Sequence, residues 1–147
     1  MRKSMIVIFI VMVFVSGCNT PNSLLYQDYS KKLGCVASFG INKTLIINSK
    51  EDYQNNFKIK SEACGVFYKI PFIDFNRKTL VGMHLSGGGC SLTTTPSVQL
   101  VNNSIVVNAN AVFKGPCKMK LGKTIFLVID KISPDQKIVF LWGEDLN

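Results

Sequence analysis

The chain has 147 residues, with 17 Lys and Arg against 9 Asp and Glu, a formal net charge of +8 and an apolar content of 47%. That length holds one domain with a single modest core. One N-terminal run inflates that apolar figure, so it does not by itself read as a membrane-embedded body, and the positive balance points to acidic partners or to an ordinary lysine-rich surface.

Arg2 and Lys3 precede an unbroken apolar stretch from Met5 to Val15. A membrane-spanning helix needs about twenty apolar residues, so this stretch reads as the hydrophobic region of an export signal. Val15-Ser16-Gly17-Cys18 then resembles the lipobox of bacterial lipoproteins: an aliphatic residue, two small residues and a cysteine. The resemblance implies attachment of a diacylglyceryl group to the Cys18 thiol, cleavage before Cys18 and, usually, acylation of the new amine, and two or three acyl chains anchor stably. Residues 1–17 are therefore expected to be a signal peptide and 18–30 a lipidated cysteine with its tether. Residues 31–147 would be a single β-rich envelope domain. Loss of Arg2 and Lys3 lowers the charge of +8 by two, to about +6. Asn19, where an aspartate would retain a lipoprotein in the inner membrane, favours the outer membrane if the cell has two.

Four cysteines remain after Cys18: Cys35, Cys64, Cys90 and Cys117. An even number in an exported chain of this size reads as a disulfide framework. No pair has CxxC spacing and His84 is the only histidine, so no metal site, redox site or cofactor is expected.

Thr44 to Ile47 is the first β-favouring run. Ser49 with Asp52 approximates a capping box and opens a helix expected over Asp52–Lys58, with Tyr53 and Phe57 on one face. Ser61 to Tyr68 reads as a loop, and Pro71 to Phe75 as an apolar segment with one acid. Thr79 to Leu85 is a strand that runs into Ser86-Gly87-Gly88-Gly89, expected to be a turn. Ser91–Val101 and Ser104–Phe113 flank Asn102-Asn103, a pair that tolerates the positive φ of two-residue hairpin turns. That turn sets Leu100 opposite Ile105, Val98 opposite Val107 and Leu92 opposite Phe113, all on one face. Gln99, Ser104 and Asn108 share the other face, where Val101 and Val106 interrupt the alternation. The same register sets Cys90 opposite Gly115, close to Cys117, and so predicts a Cys90–Cys117 bridge, leaving Cys35 to pair with Cys64. Thr124–Ile132 and Lys137–Trp142 are two further strands, joined by a Ser133–Gln136 turn. Glu144 and Asp145 read as a solvated tail.

Several strands with one short helix make the fold class α+β, mostly antiparallel sheet, stapled by two disulfides. The order of features from about Leu45 to Ile132 resembles the family named for the C-terminal domain of the protease-complex subunit PrcB. A strand enters a helix at Ile47-Asn48-Ser49, and Ile73-Asp74-Phe75 precedes a hydrophobic strand. Gly87-Gly88-Gly89 then precede a hairpin and a closing strand. Cys90 stands where that family has an aromatic residue. The resemblance implies an accessory domain without catalysis, in some cases a partner of a secreted protease.

Catalysis by a serine or cysteine would need a nearby base, and His84, between Met83 and Leu85 in a strand, reads as a structural or surface residue. The acids show no paired spacing, and the glycines lack the Gly-Lys-Ser/Thr of a phosphate loop. No nucleic-acid partner is expected. The expected function is that of a non-catalytic module, anchored to the membrane through lipid and binding an envelope protein, with Ser86–Gly89 as the candidate contact. An envelope enzyme is one alternative. The other is a structural or polysaccharide-contacting lipoprotein using Lys114, Lys118, Lys120 and Lys123.

Overall fold

A computed structural model describes residues 22–37, 44–65 and 67–144. The signal segment, Cys18 and Asp145 lie outside the described residues.

The Asn102-Asn103 turn organises one half of the molecule. Both residues take positive φ, 46° and 61°, the conformation whose twist matches a right-handed hairpin. Strands β5 (Ser91–Val101) and β6 (Ser104–Lys114) pair in the register expected, Leu100 with Ile105, Val98 with Val107 and Leu92 with Phe113. A second ladder joins β4 (Lys78–Gly88) to β7 (Lys120–Asp130), from Lys78 opposite Asp130 to Gly88 opposite Lys120.

The two ladders are one ribbon. β4 passes into β5 through Gly89 and Cys90, while β6 passes into β7 through residues 115–119. The backbone stays paired across the join, with Gly89 N–H donating to the Met119 carbonyl (3.1 Å) and Cys90 N–H to that of Lys114 (2.7 Å). Two residues on one arm oppose five on the other, and such an insertion bends a ribbon sharply. Folded at this corner, the ribbon lays its two halves face to face. Val81, Met83, Leu85, Ile125, Leu127 and Ile129 of one half meet Val98, Ile105, Val107, Ala109, Ala111 and Phe113 of the other.

Short strands complete the sheets. β1 (Asn22–Ser23) pairs with β5 at Leu100 and Gln99, and β2 (Gln27–Asp28) pairs with β7 at Val128 and Leu127. Of the tether expected over 18–30, residues 22–30 are thus stitched to the edges of both sheets. β3 (Thr44–Ile47) adds to the far side of β4. The final strand, β8 (Lys137–Glu144), does not return beside β7, whose two neighbours are β4 and β2. The Ser133–Gln136 turn, closed by Gln136 N–H on the Ser133 carbonyl (3.0 Å), carries the chain to the other sheet. There β8 lies parallel to β6, from Lys137 beside Ser104 to Glu144 beside Ala111. Glu144 therefore ends a strand and is not part of a free tail. The sheets run β1-β5-β6-β8 and β2-β7-β4-β3.

The second sheet is covered on both faces, which explains the continuous apolar run from Ile125 to Ile129. Its outer face packs Leu80, Phe126 and Val128 against Leu33 and Val36 of the α1 region (α1, Gly34–Ala37) and against Tyr53 and Phe57 of α2 (Lys50–Glu62). Phe57 meets the Phe126 ring edge-on at 5.7 Å. Ser49 caps α2: its Oγ accepts from the Asp52 N–H (3.0 Å) and donates to the Asp52 carboxylate (2.8 Å). The helix runs longer than Asp52–Lys58, because Lys58 to Glu62 is rich in good helix formers and nothing in it breaks the helix. Cys35 and Cys64 bridge α1 to the end of α2, and Cys90 bridges Cys117 at the corner. Both expected pairings hold.

The segment Ser86–Gly89 is not a turn. Ser86 to Gly88 are the last residues of β4, and none of the three glycines has positive φ. Their smallness answers to packing: a Cβ on Gly87 would lie 2.6 Å from the Phe113 ring.

Candidate binding surfaces

The corner gathers two features that are far apart in sequence. The glycines of β4 lie beside the lysines of the opposite arm, with Gly88 paired to Lys120 and Gly89 bonded to Met119. Cys90 and Cys117, with Cα atoms 4.8 Å apart, tie the arms together at the bend. The Cys117 N–H also points to the Cys90 sulfur at 3.2 Å. Lys114, Lys118 and Lys120 are exposed around the bridge, and Met119 between them is 54% exposed. Lys123 is set apart from the other three. Its ammonium donates to the Thr94 hydroxyl at 2.7 Å, linking β7 to β5 across the two sheets.

His84 lies on the outer face of the second sheet, exposed, with Nδ1 3.0 Å from the Thr124 hydroxyl. Its partner is thus a neutral hydroxyl on the paired strand, the arrangement of a surface histidine. Among the described residues no group of three or more His, Cys, Asp or Glu side chains could hold a metal, and no helix is long and apolar enough to cross a membrane.

No family model, curated protein or solved structure matches this chain. The surfaces themselves therefore carry the functional reading.

A surface that sequence reasoning missed lies along β8, the edge of the first sheet. Ile138 and Phe140 turn inward against the core, while Val139 and Leu141 face outward, 40% and 50% exposed. Val139 stands beside Val106, one of the residues that break the polar alternation of β6 and β5. Another, Val101, lies on the same face near the Asn102-Asn103 turn. Beyond this apolar strip the face is neutral and mostly polar, with Thr93, Thr95, Ser97, Asn108 and Asn110 beside Val112. Trp142, on the inward side of β8 beside Ala109, is still 52% exposed. The signal was present in Val101 and Val106. Its meaning was not, because KIVFLW reads equally well as a strand buried on both faces.

Around the entry to α2, Lys131 is already engaged. The Lys131 ammonium donates to the carbonyls of Asn48 (2.6 Å) and Phe75 (2.9 Å) and holds the Pro71–Phe75 segment to the helix start. Tyr53 and Tyr68 serve the same layer, donating their hydroxyls to the carbonyls of Pro71 (3.0 Å) and Lys32 (2.8 Å). Burial pushes the pKa of both phenols up, and for Tyr53 the neighbouring Tyr68 and Tyr29 add to the effect.

Proposed function

We propose that the chain is a lipid-anchored, non-catalytic binding module of the cell envelope, and that it takes a protein partner along the β8 edge. The observation that carries the reading is an edge strand with exposed apolar side chains, Val139 and Leu141 on its outward face and Trp142 at its end. An edge strand presents unpaired backbone donors and acceptors, and proteins blunt such edges with charge, proline or cover. From Ile138 to Trp142 this one has none of these in its sequence. An extended segment of a partner would add a strand there through main-chain hydrogen bonds, with the outward side chains giving selectivity. A secreted protease is the kind of partner that the resemblance to the PrcB C-terminal domain family implies, and that choice rests on the resemblance alone.

The anchoring half of the proposal rests on the lipobox-like residues at Cys18. It is compatible with β1, where the chain joins the body at Asn22, four residues after the cysteine. The binding half is tested by a photoreactive side chain at position 141 of the full lipidated chain in cells. The expected result is an adduct with one identified envelope protein, absent when the probe is moved to position 95, two strands away in the same sheet. Adducts only with a second copy of the chain, or the same adducts from both positions, would overturn it.

A further inference from the structure

The bent ribbon carries its charge unevenly from end to end. Lys114, Lys118 and Lys120 surround the corner, exposed, and none of them forms an ion pair among the described residues. Asp28, Asp130, Asp135, Asp74, Glu51 and Asp52 belong toward the other end. Asp28 sits beside Leu127, Asp130 ends β7 opposite Lys78, and Asp135 accepts from the Asn103 side chain. Asp74 leads into β4, and Glu51 with Asp52 forms the first turn of α2. Glu144 stands beside Ala111 on β8, three residues down β6 from Lys114. The corner is thus a cationic tip on a body whose acids lie mostly elsewhere.

The make-up of the tip selects the class of ligand. Protein interfaces depend on buried aromatic and arginine anchors and are depleted in lysine. The tip has three lysines, no arginine and one exposed apolar side chain, Met119. Lysine acts as a point charge without the planar fork that reads a single carboxylate, so the contact it suits is charge-dominated and repetitive. The Cys90–Cys117 bridge fixes the backbone that carries these lysines, which reduces the ordering cost of binding. We propose that the corner binds a polyanionic envelope polymer carrying repeated phosphate or carboxylate groups. This goes beyond the β8 reading and uses a different surface.

Placement favours a polymer over the head groups of the anchoring membrane. β1 runs antiparallel to β5, so its first residue, Asn22, is the one nearer the Asn102-Asn103 end. The four residues back to Cys18 reach at most about 14 Å. The corner lies about 30 Å from Asn22 along β5, farther than that reach. This placement rests on the proposed anchor; the charge of the corner does not.

The test measures binding of the full lipidated chain, in neutral detergent micelles, to inorganic polyphosphate and to polygalacturonate. Two charge-matched triple variants are compared: Lys114→Gln with Lys118→Gln and Lys120→Gln at the corner, and Lys31→Gln with Lys50→Gln and Arg77→Gln elsewhere. All six positions are exposed, so both variants should keep the melting temperature. The expected result is binding to at least one polymer that falls about tenfold in the corner variant and less than about twofold in the other, with a steep salt dependence. No binding to either polymer, or equal losses in both variants, would overturn the proposal. In a second arm the chain is anchored in phosphatidylcholine vesicles with and without phosphatidylglycerol. Charges about 30 Å apart are screened at physiological salt, so polymer binding should be the same in both. Binding that disappears only on the anionic vesicles would mean that head groups occupy the corner, and would overturn it. The micelle arm does not depend on the anchor or on β8, so it can fail or succeed independently of the proposed function.

Discussion

Gly115 lies directly against Cys90: a Cβ at position 115 would come within 2.6 Å of the Cys90 sulfur, and the residue has a φ of +89°. The two conditions come from one cause. The arm from Lys114 to Lys120 must leave its ladder, turn around the bridge and rejoin the other ladder. A residue with positive φ and no side chain starts that detour. Gly115→Ala should therefore destabilise through both strain and contact, by about 2–3 kcal/mol or more, since the left-handed region alone costs an alanine about 1–2 kcal/mol. Denaturant unfolding of the oxidised protein measures it. A change below about 0.5 kcal/mol would show that the corner relaxes easily.

The bridge itself should contribute more. Its two cysteines are 27 residues apart in sequence, and closing such a loop is worth about 3–4 kcal/mol in the chain-entropy model. Cys90→Ser with Cys117→Ser should lower stability by about that amount while leaving Cys35–Cys64 intact by peptide mapping of the unreduced chain. That would be a large share of the ~5–15 kcal/mol typical of a domain.

The three consecutive glycines should behave differently from one another. Gly87 lies under the Phe113 ring, whereas nothing lies within 4 Å of a Cβ placed on Gly88, and neither has positive φ. Gly87→Ala forces Phe113, a core side chain, out of its place and should cost about 1–3 kcal/mol, as overpacking does. Gly88→Ala should be neutral or slightly stabilising, because it only reduces the freedom of the unfolded chain. Thermal melts of the two variants check the contrast. If Gly88→Ala melts normally but loses polymer binding, the backbone there is part of the corner's contact surface.

These glycines also mark where the sequence could be read and where it could not. The β5–β6 hairpin was legible to the residue because Asn102-Asn103 chooses the turn and the alternation chooses the face. Both bridges followed from that register. The corner was not legible, because three glycines before a cysteine have the composition of a turn, while the constraint on Gly87 comes from Phe113, far along the chain. The place of β8 was hidden for a similar reason. A short turn after β7 suggests a hairpin, and only the occupation of both sides of β7 by β4 and β2 sends the last strand to the other sheet. The apolar strip on β8 depended on that placement and so could not be anticipated.

Alkaline pH should loosen the helical layer first. The pKa of Tyr53 is raised by burial in the folded chain, while in the unfolded chain it returns to about 10. Above that pH the unfolded chain loses the phenolic proton and the folded chain keeps it. Stability is thus fully present below about pH 10 and falls as pH rises beyond it. Tyr68 is shifted in the same direction and adds to the fall. Tyr53→Phe removes the hydroxyl that donates to the Pro71 carbonyl, at a cost of about 1 kcal/mol at neutral pH. The same variant should show a shallower loss of stability between pH 9 and 11. Denaturant midpoints across that range separate the two effects, and identical slopes would show that Tyr53 does not carry the pH dependence.

Anchoring can be tested apart from folding. Cys18 precedes Asn22, the first paired residue among those described, and neither bridge includes it. Cys18→Ala should therefore leave the body with unchanged disulfides and melting temperature, while removing the acceptor for acylation. A cell fed a fatty-acid probe should label the wild-type chain and not the variant, and the variant should leave the membrane fraction or persist as an uncut precursor. A single acyl chain holds a protein only marginally and two or three hold it stably, so partial release of the wild type by mild alkaline hydrolysis would count the ester-linked chains. Continued labelling of Cys18→Ala, or an unlabelled wild type, would remove the anchor from the proposed function and with it the membrane-distal placement of the corner. The β8 surface and the charge of the corner would still stand on their own tests.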